Sequence, residues 1–184
     1  MDFFKPPIEG LLVFTPRIFN DNRGYFYESY NKKIWQDAGI TTEFVQDNES
    51  FSTQNTLRGL HFQKPPFAQA KLVRVLEGAV WDVAVDLRQN SPTYGKWYGV
   101  ELSAENKKQF FIPRGFAHGF SVLTPTAKFA YKCDNFYNKE AEGALRFDDP
   151  EIAVDWKIDL SKAVLSEKDL KNPLFAAYKE NPCF

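Results

Sequence analysis

The stretch KLVRVLEGAVWDVAVDLR, residues 71–88, narrows the possible folds more than any other part of this chain. Apolar residues alternate at period two on both sides of the Glu77-Gly78 step. That spacing buries one face of an extended strand and does not match the 3.6 period of a helix. The glycine at the break predicts a hairpin between the two segments. KWYGVELS, QFFIP, HGFSVL and KFAYKC follow at close spacing, with Gly, Pro or Asn between them. Short strands at such spacing predict an all-β sandwich or barrel.

The flanks are less regular. GLLVFTPRIF and GYFYESY predict two strands around a turn at NDNRG, and NKKIWQDAGI predicts one short helix, with Asn31 as its N-cap, Ile34 and Ala38 on one face, and Gly39 as its stop. After IAVDWKI, the stretch DLSKAVLSEKDLKNPLFAAYKE predicts short helical turns capped by Ser161 or Ser166 and packed on the barrel. No linker, repeat or low-complexity segment interrupts residues 1–184, so one domain is expected. Apolar residues at 43% supply a core without staples, and a formal net charge of −1 gives no overall field for nucleic acid. Cys133 and Cys183 are too few and too far apart for a disulfide framework, which fits a reducing cytoplasm. No apolar run reaches signal-peptide or membrane-span length, so a soluble, unexported protein without membrane partners is expected.

Candidate chemistry centres on LRGLHFQ, residues 57–63, which holds one of two histidines. His61 could be a metal ligand, a catalytic base or a hydrogen-bonded core residue. The strand pattern resembles small β-barrels of the cupin type, whose motifs G(x)5HxH(x)3–4E(x)6G and G(x)5PxG(x)2H(x)3N supply three His and one Glu to a metal. Here His61 stands at the first ligand position, but Gln63 replaces the second His and Lys71 the Glu, while PRGFAH supplies His118. A protonated lysine cannot coordinate a metal, so no metal is expected. Two imidazoles, a cation and Arg58 remain, a set suited to acid–base chemistry on an anionic or carbonyl ligand. For His118, function and a plain hydrogen-bonded barrel residue stand level.

QDNES, LRGLHFQ, QAKLVRVLEGAVWDVAVDLR, SPTYGKW, IPRGFAHGF, YKCDNFY and SEKD occur in that order between Phe14 and Pro173. On these motifs the chain resembles the dTDP-4-dehydrorhamnose 3,5-epimerases. The resemblance implies an all-β jelly-roll (cupin-like) barrel with short N- and C-terminal helical segments, and a homodimer with exchanged N-terminal strands. It also implies no metal or organic cofactor, and as substrate dTDP-4-dehydro-6-deoxy-D-glucose, inverted at C3 and C5 on the way to L-rhamnose and cell-surface polysaccharide. Both carbons flank the C4 ketone, so enolate resonance acidifies their protons and an imidazole can remove them.

By resemblance His61 is the base, Asp169 its carboxylate partner, Tyr131 the acid that returns a proton on the opposite face, and Lys71 the cation facing the enolate oxygen. Ser166-x-x-Asp169 also reads as a helix capping box. His118 contacts the sugar, Arg58 and Arg23 the phosphates or sugar, and Tyr137 stacks on thymine. Glu28, Gln46, Asp47, Asn48, Glu142 and Lys168 match further ligand-contacting positions, although Glu28, Glu142 and Lys168 also read as ordinary surface charge. Arg23 and Glu28 are expected to serve the partner's site. The chain departs from the pattern at Glu49, where some members have His, and at Phe62, where Tyr is commoner. The rival readings are a single-site epimerase, a ketoisomerase, and a barrel that binds a nucleotide sugar without turning it over.

Overall fold

A computed structural model describes residues 2–184. Its strands are β1 (Asp2–Phe4), β2 (Leu12–Thr15), β3 (Phe19–Asp21), β4 (Gly24–Phe26), β5 (Gln46–Thr53), β6 (Leu57–Gln63) and β7 (Lys71–Glu77), followed by β8 (Ala79–Asp86), β9 (Trp97–Ser103), β10 (Gln109–Ile112), β11 (Phe116–Val122), β12 (Thr126–Cys133) and β13 (Glu142–Ala144). Two short helices, α1 (Lys32–Asp37) and α2 (Phe175–Glu180), flank them. One sheet runs β1-β2-β10-β7-β12-β5, a second runs β13-β6-β11-β8-β9, and β3 and β4 form a separate hairpin. The fold is a jelly roll whose two sheets are hydrogen-bonded separately, so the barrel is not closed.

The alternation seen in the sequence sets what each face buries. Val73 and Val75, Val80 and Ala84, Phe110 and Ile112, and Phe120 and Phe129 point inward and fill the space between the sheets. Each such side chain contributes roughly 1.5–3 kcal/mol on burial. In β8 the other register is apolar as well. Val83 and Val85 lie under a second layer built from Leu145, Phe147, Trp156, Phe175 and Tyr178 of the C-terminal segment. The outer face of the first sheet is capped by α1 through Trp35, which packs on Leu12, Phe14, Leu72 and Phe111.

The step at Glu77-Gly78 is not a hairpin. β7 pairs with β10 and β12, and β8 pairs with β9 and β11, so the chain passes from one sheet to the other at this point. Gly78 has φ of +74°, and a Cβ there would stand 2.0 Å from the Thr126 carbonyl oxygen, so only glycine fits the crossing. Asn31 caps α1 as expected, its Oδ1 accepting the Lys33 N–H at 3.1 Å. Near the C-terminus the cap of the Leu160–Lys162 turn is Asp159 rather than Ser161: Asp159 Oδ1 accepts the Ser161 N–H at 3.0 Å. Ser166 does act at the Asp169–Lys171 turn, where its Oγ accepts the Asp169 N–H at 3.1 Å.

Candidate active site

Arg58, His61 and Gln63 could not all face inward from a regular strand, because residues three apart point to opposite faces. A bulge resolves this. His118 pairs with His61 and Phe120 with Arg58, so two steps along β11 match three along β6. Gly59 lies in the bulge with φ of +129°, its Cα side against Gly119, where a Cβ would come within 2.5 Å of the Gly119 Cα. Arg58 and His61 consequently line one cavity, together with Asn48, Lys71, His118 and Tyr131 from the inward register of β5, β7, β11 and β12. The turn carrying Lys168 and Asp169 closes this cavity, which measures about 640 Å³. A smaller lobe of about 180 Å³ shares His61, Lys71, Tyr131 and Lys168 with it and adds Gln63, Gln69, Tyr137 and Glu142.

His61 Nε2 lies 2.5 Å from Asp169 Oδ1. The Asp169 carboxylate is buried and also receives the Ser166 hydroxyl at 2.8 Å and the Asn172 amide at 3.4 Å. Burial raises the Asp169 pKa, but the His61 hydrogen bond and charge, with Ser166 and Asn172, outweigh it and hold the group below the usual carboxylate range. The capping role and the pairing with His61 therefore coexist in one side chain.

A second pair lies deeper. His118 Nε2 sits 3.0 Å from both carboxylate oxygens of Asp82, a fully buried acid on β8. Burial lowers the His118 pKa against the pull of Asp82, and raises that of Asp82 against the pull of His118 and Lys71. Lys71 is likewise lowered by burial, opposed by the charges of Cys133 and Asp82. Its Nζ lies 5.7 Å from the centre of the Tyr131 ring. Burial raises the Tyr131 pKa, with Arg58 pulling the other way, so the phenol keeps its proton near neutrality. Asp82 was absent from the sequence reading. Its signal was present, as an acid in the inward register between Val80 and Ala84, where a strand side chain has no route to water.

Tyr137 is exposed at the mouth of the smaller lobe, its hydroxyl donating to Glu142 at 3.0 Å, and Lys168 pairs with the same carboxylate. Arg58 Nε donates to Ser52 Oγ at 3.1 Å and Nη2 to the Phe51 carbonyl at 3.3 Å. Gln46 is held by protein at both ends of its amide, accepting from the Tyr137 N–H and donating to Asn48 Oδ1.

Four expected ligand residues line neither this cavity nor its lobe; Gln46 is one of them, its amide spent on Tyr137 and Asn48. Asp47 takes the outward register of β5 and pairs with Lys132 at 2.9 Å, in a separate hollow shared with Glu49 and Arg74. Glu49 shares the outward register of Asp47 and stands on the rim between this hollow and the cavity. Arg23 sits at the tip of the β3–β4 hairpin, exposed and paired with Asp21, and Glu28 accepts from Asn31 Nδ2 beside α1. One chain does not bring these two to His61.

A jelly roll with a histidine–carboxylate pair, a phenol and a buried lysine around one cavity is the constellation of an acid–base isomerase. The model of the family described as dTDP-4-dehydrorhamnose 3,5-epimerase matches residues 5–177, and this chain belongs to that family. It is 51% identical to the dTDP-4-dehydrorhamnose 3,5-epimerase of Shigella flexneri, over 95% of this chain and 96% of the relative. The crystal structure of the Elizabethkingia anophelis NUHP1 enzyme of that name superposes with a TM-score of 0.92 at 56% identity, covering 99% of this chain and 98% of the other. The dTDP-6-deoxy-D-glucose-3,5-epimerase of Legionella pneumophila Philadelphia 1, solved in complex with dTDP-4-keto-L-rhamnose, gives 0.91 at 48% identity, covering 95% and 93%.

Proposed function

We propose that this chain is a dTDP-4-dehydrorhamnose 3,5-epimerase, one domain over residues 1–184 that converts dTDP-4-dehydro-6-deoxy-D-glucose to dTDP-4-dehydro-L-rhamnose. The observation that carries the reaction is the His61–Asp169 pair opening into a cavity that also holds Lys71 and Tyr131. With Nε2 committed to Asp169, the free ring nitrogen of His61 takes the proton from C3 or C5. The electrons move to the C4 oxygen, whose developing charge meets the Lys71 ammonium. Tyr131, kept protonated by burial, returns a proton to the same carbon from the opposite face. Asp169 fixes the imidazole tautomer and stabilises the imidazolium. His118 orients the ketone, Arg58 and Lys168 hold the diphosphate, and Asn48 and Glu142 take further ligand contacts. Tyr137 stacks on thymine. These roles need no metal or organic cofactor.

In this reading two copies form a homodimer. Phe19, Tyr25 and Phe26 leave the β3–β4 hairpin with an exposed aromatic surface, and Arg23 and Glu28 beside it would complete the partner's site. A cytoplasmic location fits two free cysteines, Cys133 and Cys183. Among the described residues no helix is long and apolar enough to cross a membrane.

Incubation with the 4-keto nucleotide sugar in deuterated water, followed by NMR, tests the assignment. Label at both C3 and C5 is expected; label at one carbon identifies a single-site epimerase, and label at neither a binding protein. His61→Ala is expected to slow exchange at both carbons by about 10³-fold, and Tyr131→Phe to spare exchange while impairing inversion. Exchange that survives His61→Ala would overturn the role given to His61.

A further inference from the structure

Gln63 stands where a metal-binding cupin has its second histidine, and the acid–base chemistry above gives it no part. Its side chain is nonetheless buried, at 7% exposure, and its Oε1 accepts the Asn138 N–H at 3.0 Å. The preceding N–H, that of Tyr137, is accepted by Gln46 Oε1 at 3.2 Å. Two consecutive peptide groups are thus gripped by two glutamines. Gln46 opens β5 in one sheet and Gln63 ends β6 in the other, so the grip spans the mouth of the cavity from both sides.

Tyr137 is 53% exposed, and neighbouring Phe136 64%. Packing alone does not set where the ring stands; its backbone must. The rest of the loop is tied down at a distance from the ring. Asp134 accepts the Ala70 N–H at 2.6 Å and Arg114 Nε at 2.9 Å, and the Asn135 carbonyl accepts Gln69 Nε2 at 2.7 Å. At the ring's own position the two glutamines are the attachment, together with the hydroxyl contact to Glu142. A glutamine suits this use because its neutral amide oxygen accepts a backbone N–H while its Nε2 keeps donors for other partners.

We infer that Gln63 is a positioning residue for the nucleoside: with Gln46 it clamps the Tyr137–Asn138 backbone, which fixes the Tyr137 ring as a base-stacking platform. The inference rests on the reading of Tyr137 as the thymine stack. Losing the acceptor leaves a backbone N–H without its partner, so the loop shifts to find another. The base then loses its platform, and the phosphates, held elsewhere, keep their contacts.

The test is calorimetric titration of the intact protein with dTDP and, separately, with inorganic pyrophosphate. Gln63→Met, close in length but without an acceptor, is expected to weaken dTDP by about tenfold and to leave pyrophosphate within twofold. Tyr137→Ala is expected to weaken dTDP by a similar factor, as loss of one base stack does, and the double variant to bind no worse than Tyr137→Ala alone. Native dTDP affinity in Gln63→Met beside a weakened Tyr137→Ala overturns the clamp and leaves the stack standing. Native affinity in Tyr137→Ala overturns the stack, and the clamp with it. Equal loss of both probes in Gln63→Met marks a general loosening and also overturns the clamp. If Gln63→Met does not fold, Gln46→Met at the other jaw is held to the same selective loss and, combined with Tyr137→Ala, must bind dTDP no worse than Tyr137→Ala alone; a further loss marks a direct ligand contact and overturns the clamp.

Discussion

Two histidine–aspartate pairs meet one cavity through their imidazoles, and their acids are pushed in opposite directions. At His61–Asp169 the imidazole side chain is 41% exposed to the cavity, and the acid arrives on a turn far along the chain. At His118–Asp82 the side chains are 8% and 0% exposed, and the acid comes from the strand paired with that of the histidine. Hydrogen bonds win at Asp169 and lower its pKa, whereas burial wins at Asp82 and raises it. The same two residue types therefore do different work. A pair open to substrate can pass a proton, while a sealed pair beside Lys71 sets the charge balance of the floor. With Asp82 ionised, Lys71 protonated and His118 neutral, the two opposite charges of that floor offset one another, as buried charges require.

Asp169→Asn should break the open pair most severely. The amide keeps the shape but cannot stabilise an imidazolium, and its NH2 offers a donor where the ring needs an acceptor. Solvent exchange into the substrate is expected to fall by about 10²-fold or more, with dTDP affinity little changed. A loss under threefold would reduce Asp169 to a helix cap.

Stability against pH separates the pairs next. Asp169 has a folded pKa below its unfolded value near 3.8, so its contribution is full above that pH and is lost as pH falls through the folded value. Asp82 has a folded pKa above 3.8, so ionising it on folding costs stability as pH rises from 3.8 through the folded value. Urea unfolding between about pH 2 and 7 should show the deficit of Asp169→Asn shrinking at the acid end, below about pH 3.8. Relative to the unaltered protein, Asp82→Asn should gain ground as pH rises. Parallel curves for the two variants would remove the distinction drawn between the pairs.

The sealed pair should also be felt through Lys71. Burial already lowers its pKa from 10.5, and the Asp82 charge is one of the two influences that hold it up. Asp82→Asn is therefore expected to move the alkaline limb of the turnover profile to lower pH, since the enolate loses its cation sooner. Burial moves the Tyr131 phenol the other way, toward higher pH. An unshifted limb would mean that Asp82 acts on His118 alone.

This contrast explains which features were legible in the sequence. The strands, α1 and its Asn31 cap are local, written in period-two runs and one capping residue, and they could be read off directly. So could His61, because its neighbours form a motif. The crossing at Gly78 could not, since alternation says that a strand follows and not which sheet receives it. Asp82 was hidden for a related reason: β8 is buried on both faces, and its near-continuous apolar run masks which residues share the cavity. Asp47 was carried along by its motif, although period two alone places it on the face opposite Gln46 and Asn48. The β6 bulge that turns Arg58 and His61 the same way leaves no mark except a glycine.

The smallest effect should come from Ser166, which serves the open pair from behind. Its Oγ accepts the Asp169 N–H at 3.1 Å and donates to Asp169 Oδ2 at 2.8 Å, so one hydroxyl fixes both the start of the turn and the tilt of the carboxylate. Ser166→Ala removes both bonds and leaves Asp169 with His61 and Asn172. Loss of such a cap costs about 1 kcal/mol, which should appear as a modest drop in melting temperature. If the hydroxyl only caps the turn, turnover stays as it was. If it also aims the carboxylate, kcat falls by roughly threefold to tenfold with KM unchanged, and Ser166→Thr, which restores the hydroxyl, recovers most of it. We expect the second outcome, because the turn that Ser166 caps is the one that carries Asp169 to His61.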